Sequence, residues 1–249
     1  MLWYKSWLET RWRFLIGLGV LLCSAVATVY TYPQVLRLLP LVSPQGHGAL
    51  SAEIRQSIEL SRHYRGFIWL QWFRQNSIDW TTVFAILLGT SGVVSNSRQT
   101  GFTLSLPLSR TRVAGVRGAA GLGELFALVF LPSIVVPLLS PAIGQTYSMA
   151  DTLIHGACLF VGATVFFSAA FLFSHVFDDV WRPLLLAFAL VVAFAVLDKG
   201  LHAPAIFSVM SGETFFRTGR LPWPGLLACV AASGAMGWIT LRIFMHRDL

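Results

Sequence analysis

The stretch Gly89-Thr90-Ser91-Gly92 contains the residue types that nucleophilic catalysis requires. A serine hydroxyl becomes a nucleophile when a histidine within hydrogen-bond reach takes its proton. His155 and His175 are the histidines next to apolar segments, and they are the candidates for that base. The same four residues are explained more simply as small residues that let two helices pack closely. This stretch therefore has two interpretations, a catalytic serine and close helix packing.

The order G-x-S-G around Ser91 resembles that of rhomboid intramembrane proteases, which are also six-span proteins. In that family the motif lies on the fourth span and the histidine on the sixth. Here the motif follows the second apolar segment, and the sixth apolar segment contains no histidine. These departures disfavour a rhomboid-like serine protease that uses Ser91, and we keep it only as an alternative.

A site for ATP hydrolysis would need the sequence G-x-x-x-x-G-K-[ST], whose glycines and lysine hold the phosphates. Of the two lysines, Lys5 has no glycine before it and Lys199 is followed by Gly200. The longest polar segment, 33–76, is also shorter than the roughly 50 residues of the smallest domains. We predict that the chain is not an enzyme, holds no cofactor or metal of its own, and relies on another chain for ATP hydrolysis.

The composition excludes a soluble globular protein. Hydrophobic residues make up 55% of the 249 residues and charged residues 12%, whereas soluble domains carry about 25% charged residues. The mean hydropathy is +0.68. Because a water-soluble core cannot hide this much apolar surface, lipid must be part of the solvent. The length suits a single membrane domain over 1–249.

The excess of basic residues indicates a membrane partner rather than nucleic acid. The formal net charge is +7, and the cations flank apolar segments, which is typical of membrane topology and of contact with anionic lipid headgroups. We therefore expect the lipid bilayer as a partner and no nucleic acid. The cysteines at 23, 158 and 229 lie inside apolar runs, so they predict neither a disulfide framework nor a metal site.

Apolar stretches of suitable length predict six transmembrane helices. A helix needs about 20 residues to cross a hydrocarbon layer of about 30 Å, and only helices satisfy their own backbone hydrogen bonds in lipid. The fold class is therefore all-α, an integral membrane bundle. The predicted spans are 14–32, 77–95, 118–139, 152–176, 183–198 and 224–241.

The distribution of Lys and Arg favours a cytoplasmic N-terminus and a cytoplasmic C-terminus. With that orientation, ten of the 18 basic residues lie in inside segments, which are shorter in total than the outside segments and so carry the higher cation density. Segment 96–117 then becomes a cytoplasmic loop. Segments 33–76 and 199–223 lie outside.

The first 13 residues have helical amphipathic character. Lys5 falls on a narrow charged stripe with Glu9 and Arg13, and at 100° per residue the opposite half carries aromatic side chains. Those aromatic side chains include Trp3, Trp7 and Trp12. We predict a helix that lies in the cytoplasmic membrane interface before the first span, with a simple extension of that span as the alternative.

The predicted cytoplasmic loop 96–117 combines a proline, alternating leucines and arginines. Pro107 disfavours helix at Leu106, and Ser109 can cap a short helix over 111–116. Leu104, Leu106 and Leu108 alternate and can dock on a protein surface. The four arginines are at 98, 110, 112 and 117. A topogenic basic loop without a protein partner is the alternative.

The N-terminal "WYKSWLETRWRF", the block "GFTLSLPLSRTRVAGVRG", the six spans and the ending "FMHRDL" resemble the permease subunits of ABC-2 type (type V) ABC exporters. In that family the sequence LP-[LVI]-S-R forms the loop that touches the ATPase subunit. The matching residues here are Leu106, Pro107, Leu108, Ser109 and Arg110. An acid that often precedes the family's glycine is absent from 95–100.

This resemblance implies a permease subunit in a bacterial cytoplasmic (inner) membrane. Two permease copies, or this chain and a paralogue, would assemble with ABC ATPase chains that carry the ATP and Mg²⁺. It also implies short re-entrant helices in 199–223. A membrane anchor or regulator of an ATPase, without transport, is the alternative function.

Polar and aromatic residues near the spans yield three further expectations. Glu124 lies inside the third span, where a carboxylate costs about 2.5–3.5 kcal/mol, so it should face a partner, for which Arg117 is a candidate, or a cavity. Asp151 and His155 are spaced for a local hydrogen bond. The aromatic residues of 67–73 approach the second span and predict an interfacial belt.

Overall fold

The computed structural model describes residues 2–39, 49–90, 110–177, 179, 181–200 and 206–246. Every regular element in these residues is helical, so the predicted all-α class is confirmed for them. A π-helix, Trp69–Asn76, joins α3 to α4, and a 3₁₀-helix, Ser140–Ile143, follows α5. The α-helices are α1 (Leu2–Leu38), α2 (Ala49–Ser61), α3 (Tyr64–Ile68), α4 (Ser77–Gly89), α5 (Arg110–Leu139), α6 (Met149–Val176), α7 (Trp181–Gly200), α8 (Ile206–Met210), α9 (Glu213–Thr218) and α10 (Trp223–His246).

Five of the described helices are long and apolar enough to cross a membrane: α1, α5, α6, α7 and α10. This is the architecture of a multi-pass membrane protein. The helices α1, α5 and α6 begin three or more residues before the predicted transmembrane spans that they contain. The reason is that polar residues at a helix end lengthen the helix without lengthening its apolar stretch. The predicted spans 152–176 and 183–198 lie within α6 and α7.

Helix α1 joins two segments that the sequence predicts as separate. It runs for 37 residues from Leu2 to Leu38, about 55 Å at 1.5 Å per residue. The predicted interfacial helix over 1–13 is therefore the first part of the same helix as the span 14–32, which matches the alternative of a simple extension. Its residues Trp3, Trp7 and Trp12 are exposed.

The predicted second span, 77–95, is not among the five long apolar helices. The α-helix α4 has 13 residues and ends at Gly89. It continues a helical run that begins at Tyr64 and passes through the π-helix. Nine of its 13 residues are buried, because it packs against α1, α5 and α6 in the centre of the bundle.

The aromatic residues before α4 form part of the core. Phe67, Trp69, Trp72 and Phe73 are at most 1% exposed, so the predicted interfacial belt is wrong. The π-helix that carries three of them packs against α1 and continues directly into the buried helix α4. These aromatic rings are therefore covered by protein atoms and do not make the contact with lipid headgroups that the sequence predicts.

Two short helices, α8 and α9, lie between α7 and α10, where the family resemblance implies short helices. Val209 and Met210 at the end of α8 are buried against α6 and α10. The turn between α8 and α9 contains Gly212, with φ of 62°. An added Cβ there would lie 2.6 Å from Nδ1 of His155. Only glycine therefore lets the turn pack this closely against α6.

Candidate functional site

One face of the first part of α1 is polar and turned into the bundle. Ser6 and Thr10 are buried, and Glu9 and Arg13 contact neighbouring helices. The spacing i, i+3, i+4 and i+7 places these four side chains on one face of the helix. We call these residues the α1 polar face.

An ion pair joins the α1 polar face to the start of α5. Nη2 of Arg117 lies 3.0 Å from Oε2 of Glu9 and donates to Oε1 at 3.2 Å. Both side chains are less than one third exposed. Arg117, one candidate partner for Glu124, therefore does not pair with Glu124. The two residues are about 10 Å apart along one helix, and Arg117 instead reaches across to α1.

Glu124, two turns beyond Arg117 on α5, contacts the same face. The hydroxyl of Thr10 donates to Oε1 of Glu124 at 2.5 Å, and the two residues are 5% and 7% exposed. Oε2 of Glu124 has no hydrogen-bond partner within the described part of the chain. As expected from the cost of a carboxylate in hydrocarbon, Glu124 faces a polar partner inside the protein.

Arg13 joins the α1 polar face to the end of α4. Its Nη1 donates to the carbonyl oxygen of Leu87 at 2.7 Å. The last carbonyls of a helix have no partner within the helix and carry partial negative charge, so a cation stabilises that end. Gly89, two residues further on, approaches α6 so closely that a Cβ would lie 2.5 Å from the carbonyl oxygen of Phe167.

The α1 polar face thus holds the two helices that flank segment 91–109. Glu9 and Thr10 hold α5, which begins at Arg110, and Arg13 holds α4, which ends at Gly89. Each of these contacts involves a charged group, and such hydrogen bonds are stronger than those between neutral groups.

Most of the predicted ATPase contact lies outside the described residues. These residues are Leu104, Leu106, Pro107, Leu108 and Ser109, and the proposed nucleophile Ser91 lies outside them as well. The predicted short helix over 111–116 is the beginning of α5, in which Arg110 is the first residue and Arg112 is exposed. Lys5 is half-buried near the start of α1.

A second polar cluster lies at the opposite end of the bundle, where α6 begins. Nε of Arg65 donates to Oδ2 of Asp151 at 2.8 Å. Nδ1 of His155 and Nε1 of Trp69 each lie 3.0 Å from the carbonyl oxygen of Ser211. The predicted local hydrogen bond between Asp151 and His155 is therefore wrong, because both side chains contact other elements. A carbonyl only accepts hydrogen bonds, so Nδ1 of His155 carries the proton.

Tyr147, in the connection between α5 and α6, is buried beside this cluster. Burial, together with the nearby Asp151 carboxylate, raises the pKa of Tyr147 above its usual range. The phenol therefore stays protonated at physiological pH, and its ring packs edge-on against Tyr64. Tyr64 in turn shares a 2.7 Å hydrogen bond with Ser140. The cluster joins α3, α6 and the 3₁₀-helix after α5.

Sequence reasoning missed the roles of Thr10 and Arg13. Their signal was the helical spacing of Ser6, Glu9, Thr10 and Arg13 within a largely apolar helix, a spacing that marks one polar face. The sequence does not reveal which helices would meet that face, because the contacts join residues up to 114 positions apart.

Comparison of the chain with protein-family models, with curated proteins and with solved structures finds no match. The function is therefore inferred from the residues and the geometry of this chain.

We expect Thr10→Val to lower the free energy of unfolding by about 1.5–3 kcal/mol, because it removes a hydrogen bond to a buried carboxylate. In a Glu124→Gln background the same substitution should cost only about 1 kcal/mol, because the bond is then between neutral groups. The measurement is thermal or denaturant unfolding of the purified protein in a non-ionic detergent.

Thr31→Val is the matched control for this prediction. Thr31 lies on the same helix, but its hydroxyl is exposed and donates to the carbonyl of Ala27 in the preceding turn. An equal loss of stability for Thr10→Val and Thr31→Val would contradict the importance of the Thr10–Glu124 contact.

Proposed function

We propose that the chain is the membrane permease subunit of an ATP-driven ABC exporter of the ABC-2 type. It forms the transport path and is coupled to a separate ATPase subunit through the loop around Pro107 and Arg110. ATP and Mg²⁺ bind to that partner. The observation that carries the proposal is the attachment of α4 and α5, on either side of segment 91–109, to the α1 polar face.

This attachment supports coupling because a force applied to the loop would be transmitted through specific contacts to the helices of the bundle. A load applied at 96–117 from the cytoplasm would reach α5 through its first residues, Arg110 and Arg112. It would then pass to α1 through the Glu9–Arg117 pair and to the central helix α4 through Arg13 and the carbonyl of Leu87. Coupling of this kind needs packed elements that move together.

The proposed topology has six crossings in the bacterial cytoplasmic membrane. The helical run from Tyr64 to Gly89 would supply the sixth crossing, sheltered from lipid by α1, α5 and α6. Polar and irregular helix is tolerated at membrane depth where protein covers it. Six crossings would put the first residues of α1 and the last residues of α10 on the same side of the membrane, and the distribution of Lys and Arg favours the cytoplasmic side. The start of α1 would then lie in the membrane interface, and α8 and α9 would re-enter from outside.

We expect Arg110→Glu and Pro107→Gly each to weaken association with the ATPase subunit about tenfold, because one reverses an interfacial charge and the other removes the rigid turn. The measurement is co-purification of the ATPase with each variant at equal membrane levels. Arg220→Glu, an exposed charge reversal between α9 and α10 at the other end of the bundle, should have no effect. Unchanged co-purification with both loop variants refutes the coupling assignment.

Reconstitution separates this function from its alternatives. In vesicles that contain the chain and its ATPase, a permease moves a solute or lipid when ATP is added, whereas a non-transport anchor or regulator of the ATPase does not. Transport retained after Ser91→Ala would eliminate the rhomboid-like protease.

The outer face of α10 supports assembly with a second permease copy or a paralogue. Its small residues are exposed rather than packed inside the bundle. They are Ala228, Ala231, Ala232 and Ala235, at the spacing that brings membrane helices close together. Neighbouring Gly234 and Gly237 have open space where a Cβ would lie. Small residues on a lipid-exposed face allow a second helix to approach closely.

We expect Ala231→Leu together with Ala235→Leu to weaken self-association by about 1–3 kcal/mol, because the added atoms would hold the two helices apart. The measurement is a dilution series of the labelled protein in detergent micelles, followed by energy transfer. Ala193→Leu, at an exposed alanine on α7, is the matched control. Equal dimerisation of the double variant and the control would place the interface elsewhere.

A further inference from the structure

A cavity of about 540 Å³ lies between α4, α7 and the short helices α8 and α9. This volume is within the range of about 300–1,000 Å³ that small-molecule sites occupy. One wall is apolar and combines aliphatic side chains from α4 and α7 with two phenylalanines. The apolar lining consists of Ile78, Val83, Phe188, Val191, Ala195 and Phe207.

The charged residues that line this cavity carry an excess of negative charge. Glu213 is paired with Arg217, whose guanidinium lies 2.8 Å away, and Arg74 stacks over the ring of Trp69. Asp79 and Asp198 have no ion pair or hydrogen bond with any side chain in the described part of the chain. With respect to the described residues, the cavity therefore presents two uncompensated carboxylates beside an apolar wall.

A buried hydroxyl in the same cavity has no hydrogen-bond partner among the residues that the structure describes. Thr82 is 4% exposed and lines the cavity from α4. Its Oγ1 has no hydrogen-bond partner among the described residues, although a threonine in a helix commonly donates to a carbonyl of the preceding turn. A buried hydroxyl without a partner costs about 1–3 kcal/mol, which a bound ligand with a polar group would offset.

We propose that this cavity binds an organic cation, an ammonium group attached to an apolar body. The ammonium lies between Asp79 and Asp198, the hydroxyl of Thr82 accepts one of its hydrogen bonds, and the apolar body packs on Phe188 and Phe207. An N–H group is a donor that satisfies two carboxylates and a hydroxyl together.

Other ligand classes fit this cavity less well. An anion would face two unpaired carboxylates, with Arg74 as the single compensating cation among the described lining residues. A metal ion needs a closer set of ligands, and within the described residues no three His, Cys, Asp or Glu side chains are grouped to hold one. A neutral amphiphile would offer neither carboxylate a charged partner.

Binding at this site does not require an ATPase. On the proposed exporter function, on which this point rests, the bound cation is the transported cargo, so organic cations are the substrate class. Binding is measured on the chain alone, so its failure and a failure of ATPase coupling are distinguished by separate assays.

The test is isothermal titration of the purified full chain, in dodecyl maltoside, with octylammonium, octanoate and octanol. These three probes share one alkyl chain and differ in charge, and empty micelles provide the blank. We expect saturable binding of one octylammonium per chain, at least about tenfold tighter than that of the other two probes. Equal binding of all three probes, preference for octanoate, or no binding of octylammonium overturns the proposal.

Variants assign the binding to this cavity. Asp79→Asn and Asp198→Asn should each weaken octylammonium binding about tenfold or more, whereas Glu59→Gln, which removes an exposed carboxylate on α2, should not change it. Thr82→Val should weaken binding severalfold and raise the melting temperature of the ligand-free chain. Octylammonium affinity that is unchanged in both aspartate variants overturns the assignment.

Discussion

The contacts of the α1 polar face fix how the first helix sits against the rest of the bundle. Glu9, Thr10 and Arg13 each have a partner on α4 or α5. A rotation of α1 by one residue, or 100°, would turn these side chains toward lipid, where a charged group costs about 2.5–3.5 kcal/mol. Since the span that follows is largely apolar, these few polar groups set its rotation and its register.

The same constraint explains why α4, with several polar side chains, occupies the centre. Its end is held by Arg13, and its buried residues include Ser77, Thr81 and Thr82, which would be costly next to lipid. With α1, α5 and α6 around it, α4 connects the proposed ATPase contact at one end of the bundle to the aromatic and polar cluster at the other. The proposed cation cavity opens on its side toward α7.

The sequence predicts the long apolar helices well, because length and hydropathy are local properties. The predicted spans 118–139 and 152–176 end at the same residues as α5 and α6. The sequence predicts poorly which side chains are buried and which residues they contact, because tertiary packing determines both. Tryptophan is common both in interfacial belts of membrane proteins and in buried cores. Only the packing of the π-helix shows that Trp69 and Trp72 belong to the core. The partner of Glu124 likewise depends on the pairing of α1 with α5, which no local pattern encodes.

The account requires the beginning of α5 to face the cytoplasm, and labelling of a single cysteine measures this directly. Arg112→Cys and Arg220→Cys, in a background without the native cysteines, place one thiol at an exposed position at each end of the bundle. A membrane-impermeant maleimide should label the Arg112→Cys variant only in inverted vesicles and the Arg220→Cys variant only in intact spheroplasts. Labelling of the Arg112→Cys variant in intact spheroplasts would place the loop outside, beyond the reach of any cytoplasmic ATPase, and would contradict the account.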